Sequence, residues 1–277
     1  MSSPARLRRA PLLTIYVALV FIFIYLPIAV LILYSFNRDG VGGFPPRRLT
    51  LDWYRQLFAD GAIWDSVVNS LIVAAGSVAL SLTLGLLAAL ALDRARFPGK
   101  SLFRRLVLLP LILPGIITGL SLLMFAVFAE APLSLLTVFI GHGTALISVA
   151  TTELFAGLQK MDRAQEEASL DLGATPWQTF WRVTLPNLKL SLIAAGLLIF
   201  TLSMDEIAVT FFLIGRDNTL PLEIWGRLRR GITPEINAVS SLIFAVSVGL
   251  IIIWYRIRTR GLGANNPAEK AFEAFPE

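Results

Sequence analysis

The sequence predicts an all-α polytopic membrane protein with six transmembrane helices. Composition is the first observation: 56% of the 277 residues are hydrophobic and only 16% are charged, where a soluble domain carries roughly 25% charged residues. Mean hydropathy is +0.71. The second is length. Uncharged runs cover 10–37, 66–92, 106–129, 131–152 and 236–255, and a sixth apolar region, 190–215, is interrupted only by Asp205 and Glu206. Each is long enough to cross a hydrocarbon core of about 30 Å, where the backbone must satisfy itself as a helix. The third is charge. With the N-terminus inside, 16 of the 24 Lys and Arg residues fall on inner segments, so both termini are predicted to be cytoplasmic. The net charge of +5 follows this topology and is no sign of nucleic-acid binding. The chain has no cysteine, which excludes disulfides and thiolate metal sites.

Span 1 follows the basic stretch at Arg6, Arg8 and Arg9. Its apolar run is too long for a cleaved signal, and no small-residue site closes it, so it is read as a retained helix. The loop after it contains "LTLDWYRQLF", which predicts an interfacial helix with Trp53 and Tyr54 at headgroup depth. Span 2 carries Ser77, Ser81, Gly85 and Ala89 at four-residue spacing. Such a small-residue ridge lets another helix approach closely. Pro110 and Pro114 should bend span 3. Residues 261–277 read as a flexible cytoplasmic tail behind a six-span membrane domain, 1–260.

The loop 158–187 between spans 4 and 5 is polar and punctuated. Asp162 is placed to cap a first helix over 163–172, with Gln165 at the third position as in a capping box. Gly173 is placed to stop it, since glycine tolerates the left-handed conformation needed there. Thr175, Pro176 and Gln178 form the start of a second helix, and Pro186 disrupts the chain before span 5. Trp177 and Trp181 imply a shape that faces a partner. Two helices around a glycine turn also outline a DNA reader, but "PWQTFWRV" offers a single cation, too few for groove binding.

Glu167-Ala168-Ser169, three residues, Gly173, nine residues, then Val183-x-Leu185-Pro186 resembles the EAA loop of permease subunits in ATP-binding-cassette importers. Ser169 stands where a second alanine is usual. The resemblance implies a type I ABC importer permease fold. It implies that Glu167, Ala168, Ser169, Gly173, Leu185 and Pro186 form an ATPase-coupling site, with 163–172 as a coupling helix docked on a separate subunit. "FTLSMDEIAVTFFLIG", "LPLEIW", "GITPEINAVSSLIF", "YLPIAVLILYSFN" and "ALDRARFPGKSLF" extend the resemblance to spermidine/putrescine permeases of the PotC type. Permeases for other organic cations, amino-acid derivatives or opine-like solutes look similar. The implied partners are a second permease subunit in a heterodimer, two ATP-binding subunits, an extracytoplasmic solute-binding protein at loops 36–62 and 215–235, and membrane lipid. No nucleic acid, cofactor, metal or catalytic residue is expected, and the implied location is the bacterial inner membrane.

"FPGKS" at 97–101 imitates the end of a phosphate loop, but Arg94 occupies the position where that pattern needs glycine, and a membrane span precedes it. His142 is the only histidine. With no cysteine to join it, a hydrogen-bonded packing role is expected rather than a metal. Asp205 and Glu206 are the candidate substrate path. In a continuous span 5 they would lie about 22 Å along the helix, where an ionised acid needs water or a partner. They fit either an ammonium-binding path or a gating or subunit contact. A proton-coupled secondary transporter is disfavoured because no inverted repeat is visible.

Overall fold

In a computed structural model of the chain, residues 5–39, 46, 48–231 and 233–263 are described. All regular elements among them are helices, apart from one antiparallel bridge between Asn37 and Leu49. In chain order the helices are α1 (Ala5–Tyr34), α2 (Asp52–Ala59), α3 (Gly61–Arg94), α4 (Lys100–Leu108), α5 (Gly115–Phe128) and α6 (Leu135–Lys160). They continue as α7 (Ala164–Asp171), α8 (Pro176–Thr179), α9 (Leu185–Asn187), α10 (Lys189–Met204), α11 (Ala208–Leu213), α12 (Leu220–Arg230) and α13 (Pro234–Gly263).

Six helical segments occupy the places of the six expected spans, but they differ in form. Leu13–Tyr34, Gly61–Arg94 and Leu135–Lys160 are straight, apolar and long enough to cross a bilayer. The third and fifth are bent pairs, turned by 105° between Lys100–Leu111 and Gly115–Phe128, and by 66° between Pro176–Asn187 and Lys189–Met204. The expected proline bend in span 3 is therefore a near right angle. Pro114 takes an extended conformation (φ −58°, ψ 137°) just before α5. Its ring removes a donor and disfavours helix in Leu113, so no continuous helix can pass. The 14 residues of α5 rise about 21 Å, less than a hydrocarbon core. The sixth segment is α13, whose apolar part, Pro234–Gly249, is described. Of the expected tail, 261–263 continue α13 and 264–277 lie outside the described residues.

The helices fall into two compact units. One holds the residues up to Asp60 and those from Arg227 onward. There Trp53 Nε1 donates to the Asn37 carbonyl at 2.9 Å, and the Tyr54 and Ser35 hydroxyls are 2.7 Å apart. The aromatic residues of α2 thus spend their polar ends on the chain that leaves α1. Arg227 pairs with Asp60 at 2.7 Å. The outward side of α1 is a run of exposed apolar residues, such as Phe23 at 78%, suited to acyl chains.

The second unit, Gly61–Gly226, is organised around α3 and α6. The small-residue ridge of α3 is buried along its length. Ser81 Oγ donates to the Gly143 carbonyl at 2.7 Å, and Ser77 Oγ shares its proton between the carbonyls of Val73 (2.7 Å) and Phe139 (3.2 Å). A Cβ on Gly85 would collide with that of Ala150, so only hydrogen permits this separation. Interhelical hydrogen bonds of this kind contribute about 0.6 kcal/mol each in a membrane protein. Below the ridge, Ala89, Leu154, Leu158, Leu188 and Ala195 form a closed apolar cluster of α3, α6 and α10.

Candidate functional site

The loop 158–187 forms the two helices expected, shortened at the edges. α7 begins at Ala164, whose amide donates to Asp162 Oδ1 at 3.0 Å. The other half of that capping box is absent: Gln165 Oε1 accepts instead from Asn187 Nδ2 at 2.8 Å. The Gln165 amide reaches the carbonyl of Asp162, and its side chain is drawn to the partner across the loop. α7 ends in a Schellman turn. Gly173 has φ +86°, its amide donates to Leu170 O at 2.9 Å, and the Ala174 amide donates to Ser169 O at 3.1 Å. The second box is complete: Gln178 N donates to Thr175 Oγ1 at 3.3 Å, and Thr175 N to Gln178 Oε1 at 2.9 Å.

A π-helical turn, Phe180–Thr184, follows α8 and leads into α9. Pro186 has no amide for the carbonyl of Arg182, and the wider turn just before it accommodates that gap. The expected coupling residues then divide by exposure. Glu167, Ala168, Gly173 and Pro186 are exposed, whereas Ser169 and Leu185 are half-buried. The Ser169 hydroxyl lies 3.0 Å from that of Thr179 and ties α7 to α8, a bond that alanine could not make. Beside Glu167, Leu172 is 90% exposed, Trp177 68% and Trp181 51%. The rings of Trp177, Phe180 and Trp181 form a cluster with centroids 5.5–5.9 Å apart: Trp177 stacks on Phe180, and Trp181 meets both edge to face.

The acids of span 5 sit differently from expectation. They do not lie on a continuous helix. α10 ends at Met204, Asp205 and Glu206 occupy a break, and α11 begins at Ala208. Glu206 is half-buried, and its Oε1 accepts the Val209 amide at 2.9 Å, thereby capping α11. The same carboxylate lies against Gly115, where a Cβ would be 3.5 Å from Oε1. Asp205 is exposed and makes no side-chain hydrogen bond among the described residues. The two acids therefore serve different tasks, one structural and one open.

His142 bridges the break. Its Nδ1 is 2.9 Å from Ser203 Oγ, and its Nε2 is 2.9 Å from Thr210 Oγ1. The Thr210 hydroxyl donates to the Glu206 carbonyl at 2.9 Å. It has one proton, so it accepts from His142 Nε2–H, and Nδ1 is left to accept from Ser203. The histidine is buried and fully hydrogen-bonded, as the sequence suggested for it. Among the described residues no group of His, Asp and Glu could hold a metal.

Sequence reasoning missed Asp93, Arg94, Arg163 and Glu166. Asp93 Oδ1 accepts from Gln159 Nε2 at 2.6 Å, and Arg163 Nη2 lies 3.0 and 3.1 Å from the two Asp93 oxygens. Arg94 Nη2 and Thr184 Oγ1 both donate to Glu166 Oε1. The partners are far apart in sequence, so no local spacing announces them. The lysine of "FPGKS" donates to the Ala95 carbonyl at 2.9 Å, closing the end of α3.

Residues 81–261 match the family model described as "Binding-protein-dependent transport system inner membrane component". The chain belongs to that family. The permease is 36% identical over 260 residues to the putrescine transport system permease protein PotI of Escherichia coli strain K12, covering 89% of this chain and 91% of that one. It is 28% identical over 239 residues to the spermidine/putrescine transport system permease protein PotC of Haemophilus influenzae, covering 86% and 93%. In fold it is similar to a chain of a bacterial ABC transporter that imports the acidic polysaccharide alginate. The TM-score is 0.70 at 16% identity, covering 94% of this chain and 98% of that one. The permease is thus a membrane subunit of an ABC importer with the type I permease fold.

Proposed function

We propose that the permease forms one side of the path for a compact organic cation, a polyamine such as putrescine or spermidine, in an ATP-driven, binding-protein-dependent importer. The observation that carries this is Asp205: an exposed carboxylate without a hydrogen-bond partner among the described residues, held at a helix break in an otherwise apolar span. A carboxylate at low dielectric attracts a cation far more strongly than in water. The relatives named for putrescine and spermidine supply the substrate class. Glu206 contributes its negative field and fixes the start of α11.

In this reading a second permease completes the path, and two ATP-binding subunits hydrolyse ATP. An extracytoplasmic protein delivers the solute to the loops that contain α2 and α12. Both termini and the loop 158–187 face the cytoplasm, where Glu167, Ala168, Gly173 and the exposed Leu172, Trp177 and Trp181 dock on an ATPase. The chain itself does no covalent chemistry. The test is uptake of labelled putrescine by the reconstituted transporter. Asp205→Asn together with Glu206→Gln should slow uptake about tenfold without loss of assembly. Wild-type uptake in the double variant would return both acids to structure.

A further inference from the structure

α7 is held at its first turn through Glu166 and at the residue before it, Arg163. Two of the grips come from the last two residues of α3, which lie some seventy positions earlier in the chain. The Asp93 side chain is 4% exposed and that of Glu166 14%. Acids so enclosed need charged or hydrogen-bonded partners, and here each has a guanidinium and a neutral donor: Arg163 and Gln159 for Asp93, Arg94 and Thr184 for Glu166. Glu167, by contrast, is exposed and makes no side-chain hydrogen bond among the described residues.

We propose that the pairs Asp93–Arg163 and Arg94–Glu166 join α7 and α3 into one rigid lever, so that a push on α7 is delivered directly to α3. This rests on the coupling reading of α7 given above. α7 is joined covalently to α6 through the short link at Met161–Arg163, but it has no covalent neighbour in α3. Arg94–Glu166 ties α7 itself, and Asp93–Arg163 the residue that leads into it, to the helix whose buried ridge packs on α6. Asp93, Arg94, Arg163 and Glu166 are thus positioning residues: they set where the docking helix points and what moves with it. The adjacent acids Glu166 and Glu167 divide the work, the first turned inward to the lever and the second outward.

The absence of native cysteine allows a direct test in the full transporter, reconstituted with its ATPase, second permease and binding protein, with putrescine as the probe. The variant Arg94→Cys/Glu166→Cys removes one pair and leaves two thiols in its place. It should still co-purify with the ATPase and hydrolyse ATP, while putrescine moved per ATP falls about tenfold. A bifunctional maleimide of matching length should then restore at least half of the lost ratio, because a covalent strut replaces the ion pair. An unaltered ratio in the double variant, no recovery on cross-linking, or loss of the ATPase from the complex would each overturn the lever. If the double variant does not reach the membrane, Glu166→Gln, which keeps the size and an acceptor for Thr184, serves instead. It should lower the ratio at least threefold, and a wild-type ratio overturns the proposal. Failure of the coupling reading has a different signature: Glu167→Arg and Gly173→Pro would retain wild-type uptake.

Discussion

His142 Nε2 lies 2.9 Å from Thr210 Oγ1, across the break that carries Asp205 and Glu206. With Nδ1 on Ser203, the ring fastens the end of α10 to the body of α11 and sets the opening between them. His142→Phe keeps a flat ring and leaves two buried hydroxyls with lost partners. The expected cost is about 1–3 kcal/mol, read as a lower thermal midpoint of the purified complex. An unchanged midpoint would deny the bridge its role.

The two acids should separate in their behaviour. Glu206→Gln retains an oxygen for the Val209 amide, so its effect on stability should stay within about 1 kcal/mol. Asp205→Asn loses no internal bond, so the midpoint should hold while putrescine uptake falls. A stable complex with unimpaired uptake for Asp205→Asn would point away from a path residue.

These acids show where the sequence was readable and where it was not. The Thr175 box and the Gly173 stop were legible because both are local chemistry, settled within four residues. The α3 ridge was legible because four-residue spacing of small side chains has few other uses. The break after Met204 was hidden inside an apolar run. What fixes it is Glu206 folding back onto Val209, and a histidine more than sixty positions away. Its one local trace is the acid three residues before the Val209 amide, the spacing of a helix cap. Arg163 entered the sequence reading for topology alone, and Arg94 for topology and for ruling out a phosphate loop, since their acid partners become neighbours only after α3, α6 and α7 assemble.

Gly85 tests the helix contact. Even Gly85→Ala forces α3 away from α6 at Ala150, an overpacking cost of about 1–3 kcal/mol. Ser81→Ala, which removes one hydrogen bond at the same interface, should cost only about 0.6 kcal/mol. Thermal melts of the two variants should therefore differ clearly, and equal midpoints would contradict the close approach.

Gly173→Ala keeps the loop's composition but places a side chain at φ +86°. The left-handed conformation costs about 1–2 kcal/mol for a residue with a Cβ. The end of α7 should fray, lowering uptake more than ATP hydrolysis in the reconstituted complex. Equal activity of variant and wild type would mean that the turn does not set the docking surface.

Leu172 is the natural reporter of sidedness: its side chain is 90% exposed, and only its backbone amide takes part in capping α7. Leu172→Cys should resist an impermeant thiol reagent in intact cells and react in inverted membrane vesicles. Labelling in intact cells would place the loop on the wrong side for any ATPase.

The right-angle turn before α5 also bears on how the chain is made. The apolar run 106–129 is long enough to span, but once the turn at Pro114 forms, the 14-residue helix behind it is shorter than the roughly 20 residues that cross the lipid by themselves. Ser134 and Thr137 start α6 six residues after α5 ends, with reciprocal bonds that form without help from distant residues. The economical route is for α5 to wait at the channel until α6 emerges, and for the two to enter the bilayer together as a hairpin. On that route the permease would be built in pairs of helices rather than singly, and truncation between Phe128 and Ser134 would strand a nascent chain that the same segment, completed by α6, would commit to the membrane.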